Sequence, residues 1–232
     1  MNTLHYIFDP LCGWCYGAAP LIAAARTLPG LKLALHGGGM LAGAQRLRIT
    51  EQWRNHVRSH DARIAQLTGQ TFGSAYSDGL LCDTTAVLDS APPTTAILAS
   101  EAIAGRGLDM LHRLQRAHYV EGRRIADKAV IFALAGELGL AGDAFAAAFE
   151  RLSGAATAAH FSDSRSWLAR LGAQGFPSFA LERADGTLER IEASRFYGDV
   201  AAWTHYLAER APASAADPGE LGQSCGLDGC AI

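Results

Sequence analysis

Two cysteines, Cys12 and Cys15, stand three positions apart in residues 9–17, which read Asp-Pro-Leu-Cys-Gly-Trp-Cys-Tyr-Gly. The apolar run at residues 4–8 predicts a strand before them, and residues 18–28 predict a helix after them. Cysteines with this spacing at a helix start lie close enough for a disulfide after a small side-chain rotation. The stretch can therefore hold a dithiol or a disulfide on one backbone.

A helix start also favours the thiolate, which is the form of cysteine that attacks a disulfide. The helix dipole contributes about 0.3–1 kcal/mol, so the N–H groups of Trp14 and Cys15 would also have to point at the sulfur of Cys12. We therefore expect Cys12 to be an exposed attacking thiol that ionises more readily than Cys15, which resolves the mixed disulfide. Asp9 either caps this turn or takes protons near Cys15, and capping is the favoured interpretation.

The same pair also fits half of a zinc site, the other common use of this spacing. Two further cysteines, Cys225 and Cys230, lie near the C-terminus and would complete a four-cysteine metal-binding module. A different interpretation makes them a second redox pair that exchanges electrons with Cys12. The composition of residues 211–224 predicts a flexible linker, which would let the pair reach the first one.

Two glycine-containing motifs suggest a hydrolase, but their order in the chain argues against it. Residues 36–40 read His-Gly-Gly-Gly-Met, and residues 222–226 read Gly-Gln-Ser-Cys-Gly. In the hydrolase fold with these motifs the acid and the histidine follow the serine, yet no histidine follows residue 226. We interpret the glycines at 37–39 as a flexible loop that leaves the second strand.

Two prolines, one shortly after the cysteine pair and one late in the chain, complete an ordered set of motifs. Pro20 lies five residues after Cys15, inside the helical pattern, where it should kink the helix. Pro177 lies in Gly-Phe-Pro-Ser-Phe at residues 175–179, which opens a late strand. In this order the chain resembles the thioredoxin superfamily, specifically its DsbA-like branch with an inserted helical domain. Within that branch it is similar to the cytoplasmic FrnE-like proteins, which are described as predicted protein disulfide isomerases.

The resemblance extends from residue 3 to about residue 210 and implies an α/β fold. A discontinuous thioredoxin-like domain would comprise residues 1–45 and 160–210, with an all-helical domain inserted at 46–159 and a tail at 211–232. The residue pattern agrees, because it is helical from residue 50 to about 160. The predicted elements after the second strand at 31–35 are helices at 50–67, 92–104, 108–121, 128–138, 144–152 and 164–171, a hairpin at 179–191 and a helix at 199–209.

The resemblance implies a thiol–disulfide oxidoreductase or protein disulfide isomerase that uses Cys12 and Cys15 without an organic cofactor or a metal. Its partners would be protein disulfides or dithiols, with glutathione or a thioredoxin-type protein as a further reductant. In thioredoxin-like folds a cis proline starts the strand beside the cysteine pair, so the Phe176–Pro177 bond is predicted to be cis and to face Cys12. Trp14, Phe176 and Pro177 are the predicted substrate-binding residues.

A glutathione-linked enzyme is the alternative of a different class. Kappa-class glutathione transferases and hydroxychromene-carboxylate isomerases resemble the same inserted fold. They generally carry serine where Cys12 stands and lack the second cysteine. The presence of both cysteines in this chain favours redox chemistry.

Charge and hydropathy exclude several other partners. The net charge is −3 and the pI is about 6.2, which leaves no basic footprint for DNA or RNA. No apolar run approaches the roughly 20 residues that span a membrane, and the N-terminus lacks a basic region and a signal-peptide core. We expect the protein to be cytoplasmic, where thiols are kept reduced, and this argues against the oxidant role of exported DsbA proteins.

Overall fold

A four-stranded mixed sheet carries the cysteine pair in a computed structural model that describes residues 1–211 of the chain. The strand order is β2-β1-β5-β6, with β2 parallel to β1 and the other two antiparallel to their neighbours. Two short strands, β3 and β4, pair separately. The strands are β1 (Asn2–Phe8), β2 (Leu31–Gly37), β3 (Leu47–Arg48), β4 (Val87–Leu88), β5 (Ser178–Glu182) and β6 (Leu188–Ile191).

Helices form most of the remaining described chain, and a block of them lies between β2 and β5. None of the described helices is long and apolar enough to cross a membrane. The helices are α1 (Gly13–Gly17), α2 (Ala19–Ala25), α3 (Glu51–Thr68), α4 (Ala91–Ala104), α5 (Gly107–Tyr119), α6 (Lys128–Glu137), α7 (Asp143–Leu152), α8 (Ala155–Arg170) and α9 (Val200–Arg210).

Most predicted helix ends agree with the structure because local hydrogen bonds set them. Thr50 caps α3, since its side-chain oxygen accepts a hydrogen bond from the Trp53 N–H at 3.1 Å. Gly69 ends the same helix in the left-handed conformation, with φ of 73°. Asp199 caps α9 by accepting from the Ala202 N–H at 2.9 Å. The predicted hairpin is also confirmed as β5 and β6.

The helix predicted at 164–171 is wrong, because α8 begins nine residues earlier, at Ala155. Ser162 and Asp163 precede the predicted helix and were expected to cap it, but they lie inside α8. Ser164 and Ser166 instead donate their hydroxyls to carbonyls one turn back, at 2.9 and 3.0 Å, which lets serines sit in a helix interior. The predicted domain boundary at residue 160 falls within α8, and the division into two domains stays a prediction.

The helix after the cysteines is divided in two rather than kinked at the proline. α1 ends at Gly17, Ala18 separates it from α2, and Pro20 lies in the first turn of α2. Proline suits a first turn because the N–H groups there have no partner within the helix. The cysteine pair therefore belongs to a short helix of its own.

Strand β1 is held on both faces, which fixes the point where the cysteine segment leaves the sheet. On one face the ring of Tyr6 stacks on Phe8 and Phe179, with centroids 5.1 and 4.8 Å apart. Trp203 of α9 packs against Phe179 and donates its indole N–H to the Leu21 carbonyl at 2.8 Å. These aromatic side chains are almost fully buried, so they make β1 a rigid support.

The other face of the sheet carries a buried pair of histidines under α8. His5 Nδ1 lies 3.0 Å from His36 Nε2, and His5 Nε2 lies 2.9 Å from a carboxylate oxygen of Glu182. Trp167 of α8 stacks on His5 with centroids 4.0 Å apart. Burial lowers the pKa of His36 to about 4, with further lowering from the charges of His5 and His160. His36 is therefore uncharged at neutral pH.

A further buried histidine, His118 of α5, makes the fold sensitive to acid. Burial lowers its pKa to about 4, whereas an unfolded histidine titrates near ~6.5. The stability that depends on neutral His118 is therefore complete above pH ~6.5 and is lost as the pH falls towards 4. We expect His118→Gln to reduce the loss of unfolding free energy between pH 7 and pH 4 by roughly 2–3 kcal/mol.

Urea unfolding at the two pH values measures this difference. The exposed His60 of α3 supplies the matched control, since His60→Gln should leave the acid loss unchanged. A His118→Gln protein that loses as much stability as the parent would contradict the prediction.

Candidate active site

Cys12 lies at the N-terminal boundary of α1, one residue before the helix begins. Its carbonyl accepts hydrogen bonds from the N–H groups of Cys15 and Tyr16, at 3.0 and 3.1 Å. The Cys15 N–H is thereby occupied, which corrects the expectation that it points at the Cys12 sulfur. The segment Asp9–Cys12 forms the turn that joins β1 to this helix, since the Cys12 N–H donates to the Asp9 carbonyl at 3.1 Å.

Both sulfurs are buried. The exposed fraction is 7% for Cys12 and zero for Cys15, so the expectation of an exposed Cys12 is wrong. The Cys12 thiol is closed over by Phe176, whose carbonyl oxygen lies 3.5 Å from the sulfur. The Phe176–Pro177 bond is cis and faces Cys12, and both features confirm the prediction.

Cys15 lies in an environment that keeps its thiol protonated. Burial raises the pKa of Cys15 well above its ordinary value, and the hydrogen bond to Cys12 and the charge of Cys12 raise it further. The backbone N–H of Asp9 lies 3.5 Å from the Cys15 sulfur and acts in the opposite direction. The Tyr6 hydroxyl donates to the Cys15 carbonyl at 3.2 Å and holds the backbone in place. A protonated, buried Cys15 suits a resolving thiol better than an attacking one.

Asp9 ties three segments together beneath the cysteines. One carboxylate oxygen accepts from the Leu11 N–H and the Ser90 hydroxyl, both at 2.9 Å, and the other accepts from the Met40 N–H at 2.6 Å. The capping interpretation is therefore confirmed. The residues at 40 and 90 were not foreseen, because nothing local to Asp9 indicates them. Burial raises the pKa of Asp9 to about 6, although these hydrogen bonds partly offset the effect.

The three predicted substrate-binding residues meet at one cavity beside the cysteine pair. Trp14, Phe176 and Pro177 line a space of about 260 Å³. The half-buried Trp14 ring lies nearly parallel to Tyr197, with centroids 5.7 Å apart. Charged and polar side chains complete the wall: Arg190, Glu192 and Ser194. The cavity therefore offers an apolar surface next to groups that can bind a carboxylate or an amine.

The glycines that follow His36 let the ring of Phe176 approach the backbone closely. They do not form the flexible loop that the sequence predicted. A Cβ atom on Gly38 would lie 2.1 Å from ring atoms of Phe176, so the ring rests directly on this backbone. Arg165 of α8 donates to the carbonyls of Gly38 and Gly39, at 3.3 and 3.0 Å. The loop is thus pinned and supports Phe176 against Cys12.

The interpretations of the cysteines as a metal-binding module and as two communicating redox pairs stay predictions. Within residues 1–211 no group of three or more His, Cys, Asp or Glu side chains is placed to hold a metal ion. The second pair, Cys225 and Cys230, lies outside the described residues, as do residues 212–224 of the predicted linker.

A cysteine pair at a helix start, a cis proline beside it and a block of helices between the strands define a DsbA-like oxidoreductase with a thioredoxin fold. Among solved structures the chain is 56% identical to the cytosolic disulfide reductase DsbM from Pseudomonas aeruginosa, with a TM-score of 0.85. The match covers 90% of this chain and 98% of the other. The chain therefore belongs to the family of DsbA-like oxidoreductases that includes DsbM.

Two further solved structures are similar to this chain. A structure of the same Pseudomonas aeruginosa protein with GSH is 54% identical, with a TM-score of 0.84 and the same coverage of 90% and 98%. The oxidoreductase DsbA from Xylella fastidiosa is 15% identical over 92% of this chain and 87% of its own, and its TM-score of 0.51 shows the fold alone. No protein-family model and no curated protein matches the chain. The predicted class, a thiol–disulfide oxidoreductase with an inserted helical block, is confirmed.

Proposed function

We propose that this chain is a cytosolic disulfide reductase in which Cys12 attacks the substrate and Cys15 resolves the intermediate. The observation that carries the proposal is the pairing of a fully buried, protonated Cys15 with a Cys12 sulfur that lies 3.5 Å from the carbonyl of Phe176, a residue that lines the Trp14 cavity. The similar protein DsbM is a cytosolic disulfide reductase, which supports the direction of electron flow and the compartment proposed for this chain.

The reaction proceeds by two exchanges at the Cys12 sulfur. The Cys12 thiolate attacks one sulfur of the substrate disulfide, forms a mixed disulfide and releases the other sulfur as a thiolate. Cys15 then gives up its proton to that leaving thiolate and attacks the Cys12 sulfur. The second substrate sulfur leaves as a thiolate and takes a proton from solvent, so the substrate ends as two thiols and the enzyme as a Cys12–Cys15 disulfide. The substrate disulfide is thus reduced by two electrons, and the enzyme dithiol is oxidised by two electrons.

We assign the substrate-binding role to the residues around the cysteines. The carbonyl of Phe176 faces the reacting sulfur, where it can accept a hydrogen bond from an extended peptide held as a mixed disulfide. The rings of Trp14 and Tyr197 offer apolar contact to the same peptide. In the resting protein the Cys12 thiol donates a hydrogen bond to the Phe176 carbonyl. Bound substrate takes the place of this contact.

Glutathione is the reductant that fits the adjacent cavity. One glutathione opens the enzyme disulfide at Cys12 and a second removes the bound one, which yields glutathione disulfide and restores both thiols. Arg190 can bind a carboxylate of the tripeptide and Glu192 can bind its amine. The solved complex of DsbM with GSH supports this choice.

A kinetic assay tests the reductant and its site together. Purified protein, a labelled peptide disulfide and glutathione are combined with glutathione reductase, so that NADPH consumption reports glutathione disulfide. We expect Arg190→Gln to raise the KM for glutathione about tenfold with little change in kcat, because a charged hydrogen bond contributes roughly 1.5 kcal/mol.

Arg183→Gln is the matched control for this assay. Arg183 pairs with Glu189 at the turn end of the same hairpin and does not line the cavity. Turnover that needs a thioredoxin-type protein instead of glutathione would overturn the assignment of the reductant while leaving the cysteine roles intact.

A further inference from the structure

Helix α3 of the helical block packs directly on the backbone between the two cysteines. A Cβ atom on Gly13 would lie 3.0 Å from Ile64 Cδ1 and 3.3 Å from the Asp61 carboxylate oxygen Oδ1. A Cβ atom on Gly17 would lie 2.9 Å from Ile64 Cγ2. Glycine at both positions of α1 therefore lets α3 approach closely, and this approach brings a carboxylate against the cysteine segment.

The Asp61 carboxylate is buried and has no cationic partner. Asp61 is only 8% exposed. Its other carboxylate oxygen, Oδ2, accepts a hydrogen bond from the Tyr76 hydroxyl at 3.0 Å. Within residues 1–211 no basic side chain forms an ion pair with it. Arg58, one turn earlier on α3, is directed to Asp78 and the Ser77 carbonyl instead. The charge of Asp61 is thus uncompensated at its own site.

The charges of Asp61 and Cys12 act on a common neighbour, Tyr119 of α5. Burial raises the pKa of Tyr119 on α5, and the charges of Tyr76, Cys12 and Asp61 raise it further. The groups placed against Asp61 are Tyr76 from the turn at Ala75–Gly79 and the backbone of Gly13 on α1, directly after Cys12. None of them supplies a positive charge.

A negative charge at this point opposes the thiolate of Cys12. α1 has only five residues, so its dipole gives the thiolate limited help. A like charge nearby disfavours an ionised group, by about one to three pK units when it lies within ~4–6 Å. The thiolate stabilises the dithiol form of such a protein relative to the disulfide, as the strong oxidant DsbA illustrates. Opposing the thiolate therefore makes the dithiol a better electron donor.

We propose that Asp61 is a positioning residue of the redox centre, whose charge destabilises the Cys12 thiolate and poises the cysteine pair for reducing substrates. The proposal rests on the proposed role of Cys12 as the attacking thiol. The proposal assigns a function to the helical block. Its helix α3 would supply the charge that makes the dithiol form of the cysteine pair a better electron donor.

The test replaces the carboxylate by an amide of the same shape. Asp61→Asn keeps an acceptor for Tyr76 and removes the charge. We expect iodoacetamide to alkylate Cys12 about tenfold faster at pH 7.5, the lower end of the effect of a nearby like charge. We also expect the dithiol to be favoured more at equilibrium with a glutathione buffer, by a factor that rises towards tenfold, or about 30 mV, as the pH rises and the Cys12 thiol ionises.

The pH dependence separates this role from a structural one. Burial raises the pKa of Asp61 to about 6, so its carboxyl is mostly neutral at pH 5 and the two proteins should then react at the same rate. Asp9 also titrates near pH 6, beside Cys15. The alkylation rate of the parent should therefore show a break in its pH dependence near pH 6. Tyr76→Phe removes a hydrogen bond that Asp61 receives and Asp9 does not, so it should raise the pKa of Asp61 and move this break to higher pH.

Glu51→Gln is the matched control, because Glu51 is an exposed carboxylate on the same helix. Its alkylation rate and its equilibrium with glutathione should equal those of the parent. Unchanged values in folded Asp61→Asn, or a break that Tyr76→Phe does not move, would overturn the proposal. Failure of the proposed function looks different, since Cys12→Ser would then retain turnover.

Discussion

Replacing Cys12 by serine is expected to lower the rate of disulfide reduction by about a thousandfold or more, because the chain loses its attacking sulfur. The buried Cys15 cannot take over this role, since its sulfur is fully enclosed and its pKa is raised well above the ordinary value. Turnover of a labelled peptide disulfide measures the loss. A Cys12→Ser protein that still reduces the peptide at a tenth of the parental rate, roughly a 1.4 kcal/mol effect, would contradict the assignment.

Replacing Cys15 by serine is expected to give a different defect. The first exchange remains, but the mixed disulfide on Cys12 is no longer resolved from within the protein. Mass spectrometry after one addition of substrate should show a single adduct, and peptide mapping should place it at Cys12. Cys82→Ser is the control, since Cys82 is an exposed free thiol outside the site and its loss should change neither adduct nor turnover. An adduct at any other cysteine would contradict the order of attack.

Replacing Gly38 by alanine is expected to lower both the stability of the protein and its rate of disulfide reduction. The added Cβ would lie 2.1 Å from ring atoms of Phe176, so the ring must move. Overpacking of this kind costs about 1–3 kcal/mol of unfolding free energy. Because the Phe176 carbonyl contacts the Cys12 sulfur, a shift of the ring also displaces the group that binds substrate. Misplacement by about 1 Å can cost roughly a hundredfold in rate, and we expect a loss of this order.

Two further variants make the steric explanation testable. Gly175→Ala adds the same methyl group one residue before Phe176, where it meets no atom within 4 Å, and it should leave stability and turnover unchanged. Combining Gly38→Ala with Phe176→Val removes the clash, so the double variant should recover much of the lost unfolding free energy. If the double variant is no more stable than Gly38→Ala, the clash with Phe176 is not the cause.

The sequence by itself determined the features that depend on residues a few positions apart. The caps at Thr50 and Asp199 follow from side chains that bond backbone N–H groups three residues on. The helix end at Gly69 follows from a residue without a Cβ that adopts the left-handed conformation. The cysteine pair at the end of an apolar strand is equally local. Spacing and hydrophobic pattern therefore sufficed to place Cys12 and Cys15 and to indicate redox chemistry.

Only the tertiary structure decided how the cysteine pair is surrounded. The carboxylate of Asp9 binds groups 31 and 81 residues away, and the Phe176 carbonyl that closes over Cys12 lies 164 residues further along the chain. Asp61 reaches Gly13 from another helix. No local pattern encodes such contacts, because they arise when distant elements pack and remove these groups from water. Burial then sets the proton affinity of each group, which is why spacing alone indicated an exposed Cys12 and gave Asp61 no role.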